Sequence, residues 1–216
     1  MSSALRTGLD VFFSGRQLEL LGSARIGVAG AGGIGSNVAL MLVRSGVRRL
    51  FVADFDRVEA GNLNRQQYFP GDLGRPKVAA LRERLLCLEP ELDITTAAIR
   101  IDRTALPELL QRADLWVEAM DGPDDKRMFV EGALLAGKTV VACSGMAGIG
   151  GPPITVRRLK RLSMVGDFVT DIADAPPLAP RVTVCAALMA DEVLVRILGD
   201  EIFALAGGCQ GETCSR

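Results

Sequence analysis

The sequence predicts an α/β chain: a doubly wound, mostly parallel sheet with a small antiparallel extension towards its C-terminus. Two observations carry that expectation. Short apolar runs of strand length alternate with longer runs whose apolar residues recur at helical spacing, the pattern of repeated strand–helix–strand units. The first of these units is also joined by a glycine turn, Gly30-Ala31-Gly32-Gly33-Ile34-Gly35, placed directly after the apolar run 26–29. Small residues there let a backbone approach a phosphate, while the next helix aims its free N–H groups and positive dipole end at the anion. The sheet is therefore expected to be Rossmann-like.

Taken in order, residues 1–23 hold two short segments, around 5–9 and 17–21, that read as a helical lead-in lying against the sheet or a partner. Residues 26–29 are a buried strand, and 36–44 a helix whose Val38, Leu42 and Val43 face the sheet. The second strand, 50–54, ends in an acid. A polar loop comes next and runs to Arg75-Pro76-Lys77, where a helix over 77–88 opens with Pro76 in its first turn. Residues 93–101 alternate as a third strand, 106–112 form a helix, and 115–121 form a fourth strand that again ends in an acid. A helix over 124–136 and a fifth strand over 139–143 come after it. The glycine-rich stretch 144–153 is a loop, and 154–159 with 163–167 a hairpin-like pair. Residues 169–181, with Pro176, Pro177 and Pro180, are expected to be a mobile crossover linker before a long helix over 182–198. No internal repeat and no second boundary divide residues 1–216, so one domain is expected.

Composition narrows the function. Apolar residues make up 49% of the chain, enough for a sizeable core, and the net charge of −1 gives no basic surface for nucleic acid or an anionic membrane. No run reaches the roughly 20 apolar residues of a membrane helix. The five cysteines are scattered and odd in number, which argues for free thiols in a reducing, cytoplasmic setting. There is no histidine, which removes Ser–His and Cys–His catalysis and histidine metal sites.

Asp54 lies about twenty residues past the last glycine, where an acid binds ribose hydroxyls in a dinucleotide-type site. A nicotinamide enzyme also fits that pair of features. It has no need, however, of the polar residues next along the chain: Asp56, then Asn62-Leu63-Asn64-Arg65-Gln66, then Lys77. Cleavage of the α–β phosphate bond of ATP does need cations near the phosphates, because charge grows on the departing pyrophosphate. Open parallel sheets place ligands at the carboxyl ends of their strands, so Asp121 belongs on the same rim as Asp54 and the glycines. It is a magnesium-ligand candidate, with the N-cap of the following helix as the plainer alternative.

The run Gly-x-Gly-Gly-x-Gly-Ser, then Asp54-Phe55-Asp56-x-Val58-Glu59, Asn62-Leu63-Asn64-Arg65-Gln66 and Gly74-Arg75-Pro76-Lys77, resembles the ThiF/MoeB adenylyltransferases, relatives of the ubiquitin-activating enzymes. The resemblance covers about residues 18–198 and is strongest to compact members of the family. It implies that ATP adenylylates the C-terminal Gly-Gly carboxylate of a ubiquitin-like sulfur carrier of the ThiS type, with a MoaD-type carrier as the alternative. It implies that Gly30, Gly32, Gly33 and Gly35 make the phosphate turn and that Asp54 holds the ribose. Asp56, Asn62, Arg65, Gln66, Lys77 and Gly122 then complete the ATP site, and Asp121 holds Mg2+. Relatives carry Asp-x-x-Asp-Asn where this chain has Glu118-Ala119-Met120-Asp121-Gly122. Relatives are homodimers, and Arg16 is a candidate to reach the partner's ATP, or else an ordinary surface arginine. The Cys-x-x-Cys pairs of larger members are missing, so no zinc is expected. Cys185 reads as a small buried hydrophobe, and Cys209 and Cys214 as candidates for a sulfur relay. A non-catalytic module that docks a ubiquitin-like partner is the other rival, against which the intact Arg65, Lys77 and Asp121 speak.

Overall fold

The computed structural model describes residues 3–203. Two short helices lead in, α1 (Ala4–Leu9) and α2 (Gly15–Ser23). Each begins at a serine whose hydroxyl accepts an otherwise unpaired N–H, Ser3 from Arg6 and Ser14 from Gln17. Gln17 returns the contact by accepting from the Ser14 N–H, closing a capping box.

The sheet is built from β1 (Arg25–Ala29), α3 (Gly33–Arg44), β2 (Arg49–Ala53), α4 (Lys77–Leu88), β3 (Asp93–Ala97), α5 (Leu106–Leu109) and β4 (Leu115–Glu118). After them come α6 (Pro123–Leu135), β5 (Thr139–Cys143), β6 (Thr155–Arg158), β7 (Leu162–Gly166) and α7 (Ala179–Leu198). The strands form one sheet in the order β3-β2-β1-β4-β5-β7-β6. Every pairing is parallel except β6 with β7. The antiparallel extension is therefore the single edge strand β6, since β7 still runs parallel to β5.

Alternation along each strand builds two cores. Ile26, Val28, Leu50, Val52, Leu115 and Val117 face one side and pack with α3, α4 and α7. Phe51, Ala53, Trp116 and Val140 face the other, against α5 and α6. Trp116 is fully buried there, edge-on to Phe51 at 5.9 Å and to Phe129 at 5.4 Å. Its paired residue on β1 is Gly27, where any Cβ would run into the indole.

Several elements end elsewhere than expected. β3 stops at Ala97, because its partner β2 ends at Ala53 and leaves 98–101 nothing to pair with. β4 stops at Glu118, whose carboxylate turns back to take the Met120 N–H. The helix expected over 106–112 tightens to a 3₁₀ turn after Leu109. Pro76 caps α4 from outside its first turn. α3 begins at Gly33, so Gly35 sits in its first turn, where a Cβ would strike the Gly30 carbonyl. Residues 179–181 of the expected linker form the first turn of α7, which tolerates Pro180 because the N–H there has no helical partner.

The chain leaves β1 towards β2 on one side and β4 on the other. The loops after β1 and β4 therefore part, opening a crevice at the carboxyl ends of the strands.

Candidate functional site

Two clefts open on that rim. The first is lined by Gly30, Gly32, Asp54, Asp56, Lys77 and Gly122 among others. The second is lined by Gly33, Arg65, Gln66, Cys143 and Val182 among others. Ala119, Met120 and Asp121 line both. The glycine turn and the end of β4 thus form a shared wall, with Asp121 at the junction.

The turn is held by side chains rather than left loose. Asp54 Oδ2 accepts from the Ala31 N–H at 2.6 Å, and its Oδ1 accepts from the Asp56 N–H at 2.7 Å. The Tyr68 hydroxyl donates to the Ala31 carbonyl at 2.8 Å, and burial pushes this phenol well above its usual range. Gly30 has φ 100°, and a Cβ there would run into the Ala119 carbonyl, so this position must be glycine.

The first turn of α3 also anchors the loop that carries Arg65. Ser36 Oγ donates to the Gly32 carbonyl at 2.7 Å and accepts from the Gln67 N–H at 3.1 Å. Asn37 Nδ2 donates to the Gly33 and Arg65 carbonyls at 2.6 and 3.0 Å, while its Oδ1 accepts from Gln67 Nε2 at 2.7 Å. Arg65 Nη1 donates to the Gly61 carbonyl and to Asn64 Oδ1, at 2.9 and 2.8 Å. Lys77 is buried, and its ammonium donates to Asp56 Oδ2 at 2.7 Å.

Three expected residues line neither cleft: Gly35, which packs against the Gly30 carbonyl in the first turn of α3, Asn62 and Arg16. Asn62 Oδ1 accepts from the Glu59 N–H, closing the turn that precedes Arg65. Arg16 is exposed on α2 and pairs with Glu19 at 2.9 Å. Asp121 is not the N-cap of α6; Gly122 is.

The structure adds residues that spacing did not reveal. Phe55 and Arg100 line the open end of the first cleft, with the guanidinium 5.5 Å from the ring centroid. Phe55 stands between the two acids of the Asp-Phe-Asp run, a signal that could have found it. Arg100 belongs to the unpaired stretch after β3, which carries no motif. Beneath the shared wall, Lys126 on α6 donates to Glu118 Oε1 at 3.0 Å, with its Nζ 3.4 Å from Cys143 Sγ. Burial pushes the Glu118 carboxyl up despite Lys126 beside it, and pushes the Cys143 thiol up to about 11, so that thiol is neutral at pH 7. Cys185 is buried against the Val165 carbonyl, and burial raises its thiol well above the usual range, as expected of a small hydrophobe. Cys209 and Cys214 lie outside the described residues.

Among the described residues no three of His, Cys, Asp or Glu gather into a self-sufficient metal cage. Magnesium that arrives with nucleotide phosphates needs only one or two protein carboxylates, so Asp121 fits that role. No helix of the described residues is long and apolar enough to cross a membrane.

The chain matches the ThiF family model over residues 6–210. It is 37% identical over 124 residues to the sulfur carrier protein adenylyltransferase of Thermus thermophilus, covering 57% of this chain and 46% of that protein. To the sulfur carrier protein ThiS adenylyltransferase of Bacillus subtilis it is 30% identical over 192 residues, covering 84% of this chain and 56% of the relative. The matches thus span about half the length of these relatives. The Escherichia coli tRNA N6-threonylcarbamoyladenosine dehydratase TcdA, solved in complex with ATP, superposes with a TM-score of 0.76 over 87% of this chain and 90% of that one. At 20% identity that likeness shows the fold alone. With the family model matched over residues 6–210 of this chain, and a switch-point crevice lined by Gly30, Gly32, Asp54, Asp56 and Lys77 of the motifs, the chain belongs to the ThiF family.

Proposed function

We propose that this protein adenylylates the C-terminal Gly-Gly carboxylate of a ubiquitin-like sulfur carrier of the ThiS type, in the service of thiazole formation for thiamine. One observation carries the reading: Asp121 lines both clefts, Lys77 lines one and Arg65 the other. ATP fits the first cleft, with its ribose by Asp54 and its phosphates at the glycine turn. The flexible tail of the carrier fits the second, under Ile172 and Pro177 of the crossover.

A carboxylate oxygen attacks the α-phosphorus, the bond to the bridging oxygen breaks, and its electron pair leaves with pyrophosphate. An α-carboxyl has a pKa near ~3.5, so the nucleophile is already ionised at pH 7 and needs no base. That suits a chain without histidine. The remaining work is positioning and charge. The polyphosphate competes with Asp56 for the Lys77 ammonium, and Arg65 turns its free donors to the phosphates. Magnesium held by Asp121 would draw charge off the phosphates. A homodimer in which Arg16 reaches the partner's nucleotide belongs to the same reading, and the exposed Val11 and Phe12 beside α2 suit an apolar interface.

Family membership favours adenylyl transfer over the nicotinamide reading, and nicotinamide fluorescence on mixing separates the two. The direct test is exchange of labelled pyrophosphate into ATP, with magnesium and a ThiS-like carrier. Exchange should require the carrier and vanish when its last glycine is deleted. Exchange only with a MoaD-like carrier would move the protein to molybdopterin synthesis. ATP binding without exchange on any carrier would overturn the proposal in favour of a docking module.

A further inference from the structure

The Met120 backbone, on the wall that the two clefts share, is held at both its N–H and its carbonyl. Glu118 Oε1 accepts from the Met120 N–H at 2.8 Å. Lys126 Nζ donates to the Met120 carbonyl at 2.8 Å and to the same Glu118 oxygen at 3.0 Å. A third neighbour, Cys143 Sγ, lies 3.4 Å from the ammonium. Glu118 is 1% exposed, and its second oxygen has no hydrogen-bond partner. This is an unusual use of a buried ion pair. Two charges taken out of water must be well paired to offset their desolvation, and here one carboxylate oxygen is left unsatisfied.

The cluster therefore needs an explanation beyond stability, and its position supplies one. β4 ends at Glu118, and the last ladder bond beyond it is the Ala119 N–H to the Ala29 carbonyl at 2.8 Å, so Met120 and Asp121 have no strand ladder to fix them. α6 begins only at Pro123. The carboxylate that both clefts share thus stands on a short bridge between two elements. Lys126 reaches from the first turns of α6 across that bridge to the end of β4.

We propose that Lys126 and Glu118 are positioning residues that clamp the Met120 backbone, one peptide on each side of its Cα, and so fix the Asp121 carboxylate for a nucleotide-bound divalent cation. The inference rests on the adenylation reading in placing the cation with ATP. Neither residue touches substrate; both act through Asp121. Lys126 also neutralises Glu118, which leaves Asp121 as the anion on the shared wall between the clefts.

The test is ATP binding by calorimetry on the full chain, in magnesium and again in EDTA, so its outcome does not depend on finding the carrier. Lys126→Met should lose about ten- to a hundredfold in affinity for Mg-ATP, the range seen when residues supporting a metal ligand are removed, and keep its affinity for metal-free ATP. Lys126→Arg, which keeps the cation and its donors, should restore most of the loss. Glu118→Gln keeps the shape and one acceptor, and should lose in the same direction but less; it decides the matter if Lys126→Met does not fold. Unchanged Mg-ATP affinity in Lys126→Met would overturn the clamp. So would an equal loss with and without magnesium, which marks a general collapse of the cleft. Carrier-dependent pyrophosphate exchange by the unaltered protein is read separately. Its failure would sink the proposed reaction while leaving the clamp to the binding data.

Discussion

Lys77 is 4% exposed and bonded to Asp56, so in the free protein its charge is held against a carboxylate. Arg65 is likewise bent back onto its own loop. Both cations are placed but occupied until phosphates arrive, which keeps them where charge will develop on the leaving group. Arg65→Ala and Lys77→Ala should each slow adenylation about a hundred- to a thousandfold, as loss of one preorganised donor does. The two should differ in binding. Lys77→Ala leaves Asp56 unpaired on the wall of the phosphate cleft and should also weaken ATP binding, and Lys77→Ala/Asp56→Asn should regain that part alone. Calorimetry beside the exchange assay separates them, and equal ATP affinity in the single and double variants would refute the pairing argument. The positions of the glycines, Asp54 and Lys77 on the cleft wall are legible in the sequence because the backbone sets them, at the turn, just past the end of β2 and at the start of α4, and Asp121 follows three residues past the end of β4. Asn62 and Arg16 are not legible in the same way. Where a side chain points from a loop depends on its local hydrogen bonds, and any action of Arg16 on a nucleotide would need another subunit.

Elements obey a different rule, that of partners. Sequence alternation overstates the length of β3, because it continues past Ala97 while β2 does not. Prolines understate α7 at its start by suggesting a linker, although a first helical turn accepts them. Strand identity and the doubly wound class come from the strand–helix repeat, while the order that places the crevice is seen in the sheet itself. The contact of β1 with β4 offers a stability test. Gly27→Ala puts a methyl group into the Trp116 indole and should destabilise the fold by about 1–3 kcal/mol, as overpacking does. Thermal unfolding measures this, and an unchanged Tm would mean that the Trp116 layer yields more readily than its packing suggests.

Across the whole molecule, two ion pairs fasten opposite rims. Arg25 on β1 holds Asp114 at the amino rim at 3.0 Å, and Arg181 on α7 holds Asp167 at the carboxyl rim. Asp167 also accepts N–H groups of Val169 and Thr170, which ties the crossover to the end of β7. Burial works to raise the Asp167 carboxyl, but these hydrogen bonds outweigh it and hold the group below the usual carboxylate range. A lowered native pKa contributes stability in full above the unfolded value, near ~3.9, and loses it as pH falls through the native one. Stability should therefore drop below about pH 4, and Asp167→Asn should be less stable at pH 7 with a flatter acid limb. Urea midpoints against pH measure this, and parallel curves for the two proteins would remove Asp167 from the account. The Trp116 environment makes such measurements simple to read. It is the only tryptophan in the chain, sealed between β4 and α6 and away from both clefts. Its emission is a built-in optical gauge of the central layer: silent while the crossover loosens or ligands exchange at the rim, and shifted to the red only when the sheet itself admits water.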